Sequence, residues 1–133
     1  MSLLDDFDAK TYLQALITVV KMDGVKEIER QYVDARAALL GVDSAPLWAE
    51  EITELPPVSE DVGVVTRRVV IRDCILMACI DGDYTDRERS RVHQIAAWLS
   101  LEEQTCDHFE DWLRRYFELM DEQEALLHGF EGP

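Results

Sequence analysis

The sequence predicts an all-α fold, a compact bundle of about six to seven helices built on two helix–turn–helix repeats. Three observations carry that expectation. Apolar residues recur three and four apart along almost the whole chain. Helix-start signals and Asp-Gly breaks interrupt that period at intervals suited to helices. The stretch "KMDGVKEIER" (21–30) is answered by "CIDGDYTDRER" (79–89), each at the end of an apolar run.

Leu13, Leu16, Ile17 and Val20 mark one face of a first helix over about 9–22. Ile28, Tyr32, Ala35 and Leu39 mark a second over about 27–40. "GVDSAP" breaks the period, with Ser44 as N-cap and Pro46 in the first turn of a short helix near 46–54. Pro56-Pro57 stops that helix. Ser59 caps the next, over about 60–80. Its first half, "VGVVTRRVVIR", is rich in β-branched residues and competes as a strand across 63–72. The unbroken run into "CILMACI" favours helix, and the absence of charge from Cys74 to Ile80 implies burial on most sides.

Thr85 and Glu88 form a Thr-x-x-Glu capping box for a helix reaching about Leu99, and Ser100 with Glu103 forms another. The C-terminal helix, about 103–120, carries Phe109, Trp112, Leu113, Tyr116, Phe117 and Met120 at helical spacing. That stripe has two readings, a face that covers the core or a face that binds a partner; the first is the expectation, with Trp98 and Trp112 in the core. The tail after 120 is expected to fray or to hold one short helix.

The chain has 133 residues, which suits a single domain (1–133) burying about two thirds of its unfolded surface. Its formal charge is −15, spread over both halves. Such a surface repels phosphate backbones, so nucleic acid is not an expected partner. It suits cations or a basic protein partner. No apolar run is long enough for a membrane span, and the acidic N-terminus "MSLLDDFDAK" is not a secretory signal. Cys74, Cys79 and Cys106 form no CxxC pair and read as free thiols of a reducing cytoplasm.

The two Asp-Gly stretches align as repeats. Asp23-Gly24 matches Asp81-Gly82; one deletion later Glu29 matches Glu88, and Leu40-Gly41-Val42 matches Leu99-Ser100-Leu101. The units run over about 9–42 and 66–101, and two such units pack together because neither can bury its apolar face alone. An apolar helix, Asp-Gly, a short spacer, Glu and an amphipathic helix resembles the tellurite-resistance TerB-like family, whose superfamily includes the N-terminal domain of the DjlA co-chaperone. The resemblance covers about 9–101. It implies a cytoplasmic, stress-associated helical module in which acidic residues bind metal. Carried onto this chain, those residues are Asp23 and Glu29 in the first unit, with Asp81 and Glu88 in the second. The first unit departs from the pattern in lacking one residue and a Ser/Thr cap before Glu29.

The residues themselves pose the same question. Gly24 and Gly82 suit left-handed positions just past a helix. A carboxylate beside them opposes the helix dipole at about 0.3–1 kcal/mol, so Asp23 and Asp81 call for an offsetting partner. Backbone N–H groups of the next turn are one candidate; a cation held by Asp81, Asp83 and Glu88, with Asp23 from the other unit, is the other. An all-oxygen set suits a weakly held divalent cation, Mg²⁺, Ca²⁺ or Mn²⁺.

Known motifs do not fit. An EF-hand register puts Asp86 where Gly is required and Val92 where Glu is. Cys106, His108 and His93 lack the paired spacing of a zinc site. No nucleophile motif or phosphate-binding glycine loop is present, so an enzyme is not expected. The arginines Arg67, Arg68, Arg72, Arg87, Arg89 and Arg91 either pair with surface carboxylates or dock an acidic partner. Two functions therefore compete: a cation-binding module of TerB-like type, and a protein-interaction module with no ion.

Overall fold

A computed structural model describes residues 7–22, 24–51, 62–80 and 84–129. Among them six helices form an all-α bundle: α1 (Ala9–Met22), α2 (Glu27–Leu40), α3 (Ala45–Ala49), α4 (Val64–Cys79), α5 (Asp86–Trp98) and α6 (Glu103–His128). The pairs α1–α2 and α4–α5 occupy the two repeat lengths of the sequence. α1 packs on α2, α3 and α4, and α6 lies against α4 and α5.

The start of α1 and the end of α2 have local causes. Asp8 caps α1, its carboxylate accepting from the Thr11 N–H at 3.1 Å and the Thr11 hydroxyl at 2.9 Å. Those bonds hold its pKa below the usual carboxylate value. α2 ends at Gly41, where φ is +70° and the glycine N–H reaches back to the Ala37 and Ala38 carbonyls. Gly24, at φ +79°, takes the expected left-handed geometry after α1, while Gly82 falls outside the described residues. The β-branched segment 63–72 is helical, because Val70, Ile71, Cys74 and Ile75 are buried together on α4 and that burial outweighs strand propensity.

Basic side chains cap three helix C-termini. Arg91 donates to the Val19 carbonyl in the last turn of α1. Lys21 donates to the Trp48 and Glu50 carbonyls at the end of α3. Arg67 reaches the Leu99 carbonyl at 3.1 Å, just beyond α5. Each brings positive charge to the negative end of a helix dipole and joins two elements distant in sequence.

The core is Leu13, Leu16, Ile17 and Val20 of α1 against Val70, Ile71 and Ile75 of α4, closed by Val33, Val92, Ile95 and Leu113. One carboxylate lies in it. Asp73 of α4 is fully buried and accepts from the Tyr12 hydroxyl of α1 and, at 3.0 Å, from Arg72 Nε. Burial and the charge of Asp73 push the Tyr32 hydroxyl of α2 up to about 12 and the Tyr12 hydroxyl above its ordinary range.

Several local expectations are corrected. Ser44 sits at the α3 N-cap position without capping: its hydroxyl donates to Asp34 Oδ1 at 2.8 Å. The Ala45 N–H is met instead by Asp43 at 3.1 Å. The Ser100–Glu103 box does not form. Ser100 takes φ 56° in a left-handed turn closed by Leu101 N–H on the Ala96 carbonyl at 2.9 Å, so its side chain is not placed to cap α6. Trp98 is half-buried, and Trp112 is 43% exposed instead of facing the core. The described part of the tail is helical, because α6 runs on to His128. Ser59 lies outside the described residues.

Asp73→Ala should destabilise the protein by about 3 kcal/mol, because it leaves the buried Tyr12 hydroxyl without its acceptor and Arg72 without its counter-charge. Urea unfolding of the variant checks this. A second outcome concerns alkali. The folded tyrosines have raised pKa values, whereas the unfolded chain ionises near 10. Their stabilisation is fully present below about pH 10 and is lost as pH rises toward about 12. Tyrosinate absorbance of Tyr12 and Tyr32 should therefore appear together with unfolding.

Candidate functional site

The N-terminal turns of α2 and α5, equivalent in the two repeats, line one cavity of about 380 Å³. Its floor is apolar, with Val19 of α1, Met77 of α4, and Val92 and Ile95 of α5. Its rim is charged on both signs: Lys26 and Glu29 come from the start of α2, and Arg87, Glu88 and Arg91 from α5. The repeat arithmetic thus brings Glu29 and Glu88 to the same cavity. Asp23, Asp81 and Asp83 fall outside the described residues.

Thr85 positions Glu88. Its Oγ1 accepts from the Glu88 N–H at 3.1 Å, half of the expected capping box, and the side chains of the two residues approach to 3.4 Å. Oε1 of Glu29 is shielded from solvent at the cavity wall. Two carboxylates among three basic groups make a mixed-charge rim. A hard divalent cation takes six or more oxygens, so these two supply a minority of its shell.

A second polar cluster, between α5 and α6, was not legible in the sequence. His93 Nε2 lies 3.0 Å from Glu110 Oε1, and Asp107 completes a group whose ligand-capable atoms all lie within 4.8 Å of one another. Arg89 already spans it, donating to Glu110 Oε2 at 2.9 Å and to Asp107 Oδ1 at 3.0 Å. A guanidinium there supplies the positive charge that a metal would bring, so the cluster reads as an ion-pair tie between helices. The i, i+3 spacing of Asp107 and Glu110 is the one sequence signal; His93 and Arg89 join only through packing. Cys106 is buried and His108 exposed, so the Cys-x-His pair does not converge.

The Cys74 and Cys106 thiols are not activated. Burial pushes Cys106 up to about 11 and Cys74 beyond the usual thiol range. A nucleophilic cysteine needs the opposite shift.

The remaining feature is the far half of α6. Of its 26 residues only Cys106 and Leu113 are buried. Trp112, Tyr116, Phe117 and Met120 are each 40% exposed or more. Trp112 stacks on Tyr116 with centroids 6.0 Å apart, and Tyr116 meets Phe117 edge-on at 5.7 Å. The stripe read as core-covering is therefore largely an exposed, ordered aromatic face.

No family model, curated protein or solved structure matches the chain. No helix among the described residues is long and apolar enough to cross a membrane.

Thr85→Ala removes the cap that orients the first turn of α5 and should cost about 1 kcal/mol. Denaturant titration measures it, and a loss near zero means the cap does not hold that turn.

Proposed function

We propose that this chain is a non-enzymatic protein-interaction module, acting in the cytoplasm, whose docking element is the exposed face of α6. One observation carries the reading: among the described residues, a run of aromatic and aliphatic side chains at helical spacing, on a single long helix, is exposed. Aromatic residues and methionine are the types enriched where protein surfaces meet. The raised thiol pKa values and the arginine engaged in the His93 cluster support binding over catalysis.

The test compares wild type with Tyr116→Ser/Leu119→Ser as baits in native extract. Both positions are exposed, so the fold should be unaffected. The expected result is a protein retained by wild type, lost with the double variant, and rebound when purified. Equal retention by both baits overturns the assignment to α6.

A second reading rests on Glu29 and Glu88 sharing one cavity. It keeps the TerB-like resemblance and a stress-related role: a divalent cation held weakly between the two Asp-Gly turns. Calorimetry with Mg²⁺, Ca²⁺ and Mn²⁺ decides it. Heat of binding at millimolar ion, abolished by Glu88→Gln, supports a site; its absence removes one.

A further inference from the structure

The exposed face of α6 has a stricter pattern than general amphipathicity. Phe109, half-buried against the core, and then the exposed Trp112, Tyr116, Leu119, Gln123 and Leu126 follow one another at alternating steps of three and four. That is the a/d seam of a coiled coil, with a polar Gln at one a position, the kind of residue that fixes register. At 3.6 residues per turn the seam lies about a quarter turn round the helix from the buried Cys106 and Leu113. The helix is thus held by one face and free along a neighbouring one.

The charges along the helix choose the occupant. Arg114 and Arg115 precede the middle of the exposed stretch, and Glu118, Asp121, Glu122 and Glu124 follow it. Of these only Arg115 and Glu122, at g positions, border the seam, while Arg114 and Asp121 lie on the opposite side of the helix. A parallel copy of α6 sets acid against acid. An antiparallel copy sets the basic part of each helix against the acidic part of the other. About a two-fold axis between Phe117 and Glu118, Tyr116 faces Leu119 of the second copy, and Trp112 faces Gln123. The g positions then bring Arg115 beside Glu122 of the second copy, and the symmetry makes that ion pair twice. Arg115 already donates to Asp111 at 3.1 Å but is 61% exposed, which leaves its guanidinium open on the seam side.

We infer that two copies of this chain associate through antiparallel pairing of their α6 helices, centred on Tyr116 and Leu119 with Arg115 opposite Glu122. The inference rests on the reading of α6 as an interaction face and names its partner. From Trp112 to Leu126 the seam is about 21 Å long. An interface of that length belongs with the small, transient ones, so association should be weak, on the order of micromolar. The acidic chain repels its own copy, and physiological salt screens that repulsion beyond about 8 Å.

Sedimentation equilibrium at physiological salt, over a range of protein concentration, tests it with four proteins: wild type, Arg115→Glu, Glu122→Arg, and the two combined. Wild type should show a monomer–dimer equilibrium. Each single reversal should weaken it about tenfold, since symmetry makes every change count twice, and the combined protein should recover. A wild type that stays monomeric throughout overturns self-pairing; a protein still lost from the Tyr116→Ser/Leu119→Ser bait then keeps the interaction reading alive with another partner. A dimer indifferent to the single reversals, or one that the combination fails to restore, overturns the antiparallel register.

Discussion

The fold depends on one buried carboxylate. Asp73 sits inside α4, the helix that packs on α1, α5 and α6, and it cannot stay there without donors. Tyr12 supplies one from α1 and Arg72 another from α4 itself. Tyr32 and Arg36 of α2, joined to each other at 3.1 Å, stand close enough to Asp73 for its charge to act on both. Apolar contacts bring α1, α2 and α4 together, but such contacts tolerate sliding. A hydrogen-bonded carboxylate does not, because a shifted helix would leave it without its donors. Asp73 therefore sets the register between the two repeats, which in turn decides whether Glu29 and Glu88 meet at one cavity.

Much of this was legible in the sequence. Helix periodicity located α1 because its apolar positions face a single core, and Gly24 signalled its own turn by having no Cβ to strain. It located α2 but not its buried face, since Val33 and Ala37 are buried while Ile28, Ala35 and Leu39 of the expected stripe are exposed. The weak point, 63–72, resolved to helix because β-branching is only a small bias against burial of a whole face. What failed was more informative. The Ser100–Glu103 box has the right letters, yet Ser100 is needed in the left-handed turn that ends α5, where Leu101 N–H closes on Ala96. One residue cannot serve both geometries. Asp73 itself drew no attention, since a lone Asp at the edge of an apolar run does not reveal a tyrosine from another helix above it.

The stripe on α6 shows the same limit from the other side. Period alone says that residues are apolar on one face; it does not say that anything covers them. Leu113 and Trp112 are neighbours in sequence, and one is buried while the other is 43% exposed. The two point about 100° apart round the helix, and contact with α4 and α5 covers only the face that carries Leu113. The cavity was half legible for a related reason. Repeat alignment paired Glu29 with Glu88, whereas the basic rim of Lys26, Arg87 and Arg91 comes from residues that the alignment had no cause to weigh.

Charge scarcity ties these parts together. The chain has 13 lysines and arginines against 28 acidic residues, so each base has many possible partners. Several are nonetheless spent on carbonyls at helix ends: Arg91 on α1, Lys21 on α3, Arg67 beyond α5. Others bind acids between elements, as Arg89 does with Asp107 and Glu110. All of these hold the body of the bundle. Arg114 and Arg115 differ, because their ion pairs, with Asp111 and Glu118, stay within α6 and join nothing to the body. Exposed pairs of this kind contribute little to stability, so the place of Arg115 beside an exposed apolar seam is not explained by folding. A cation placed where it steadies no tertiary contact, next to aromatic side chains that face solvent, is better suited to selecting what approaches the helix than to holding it in place.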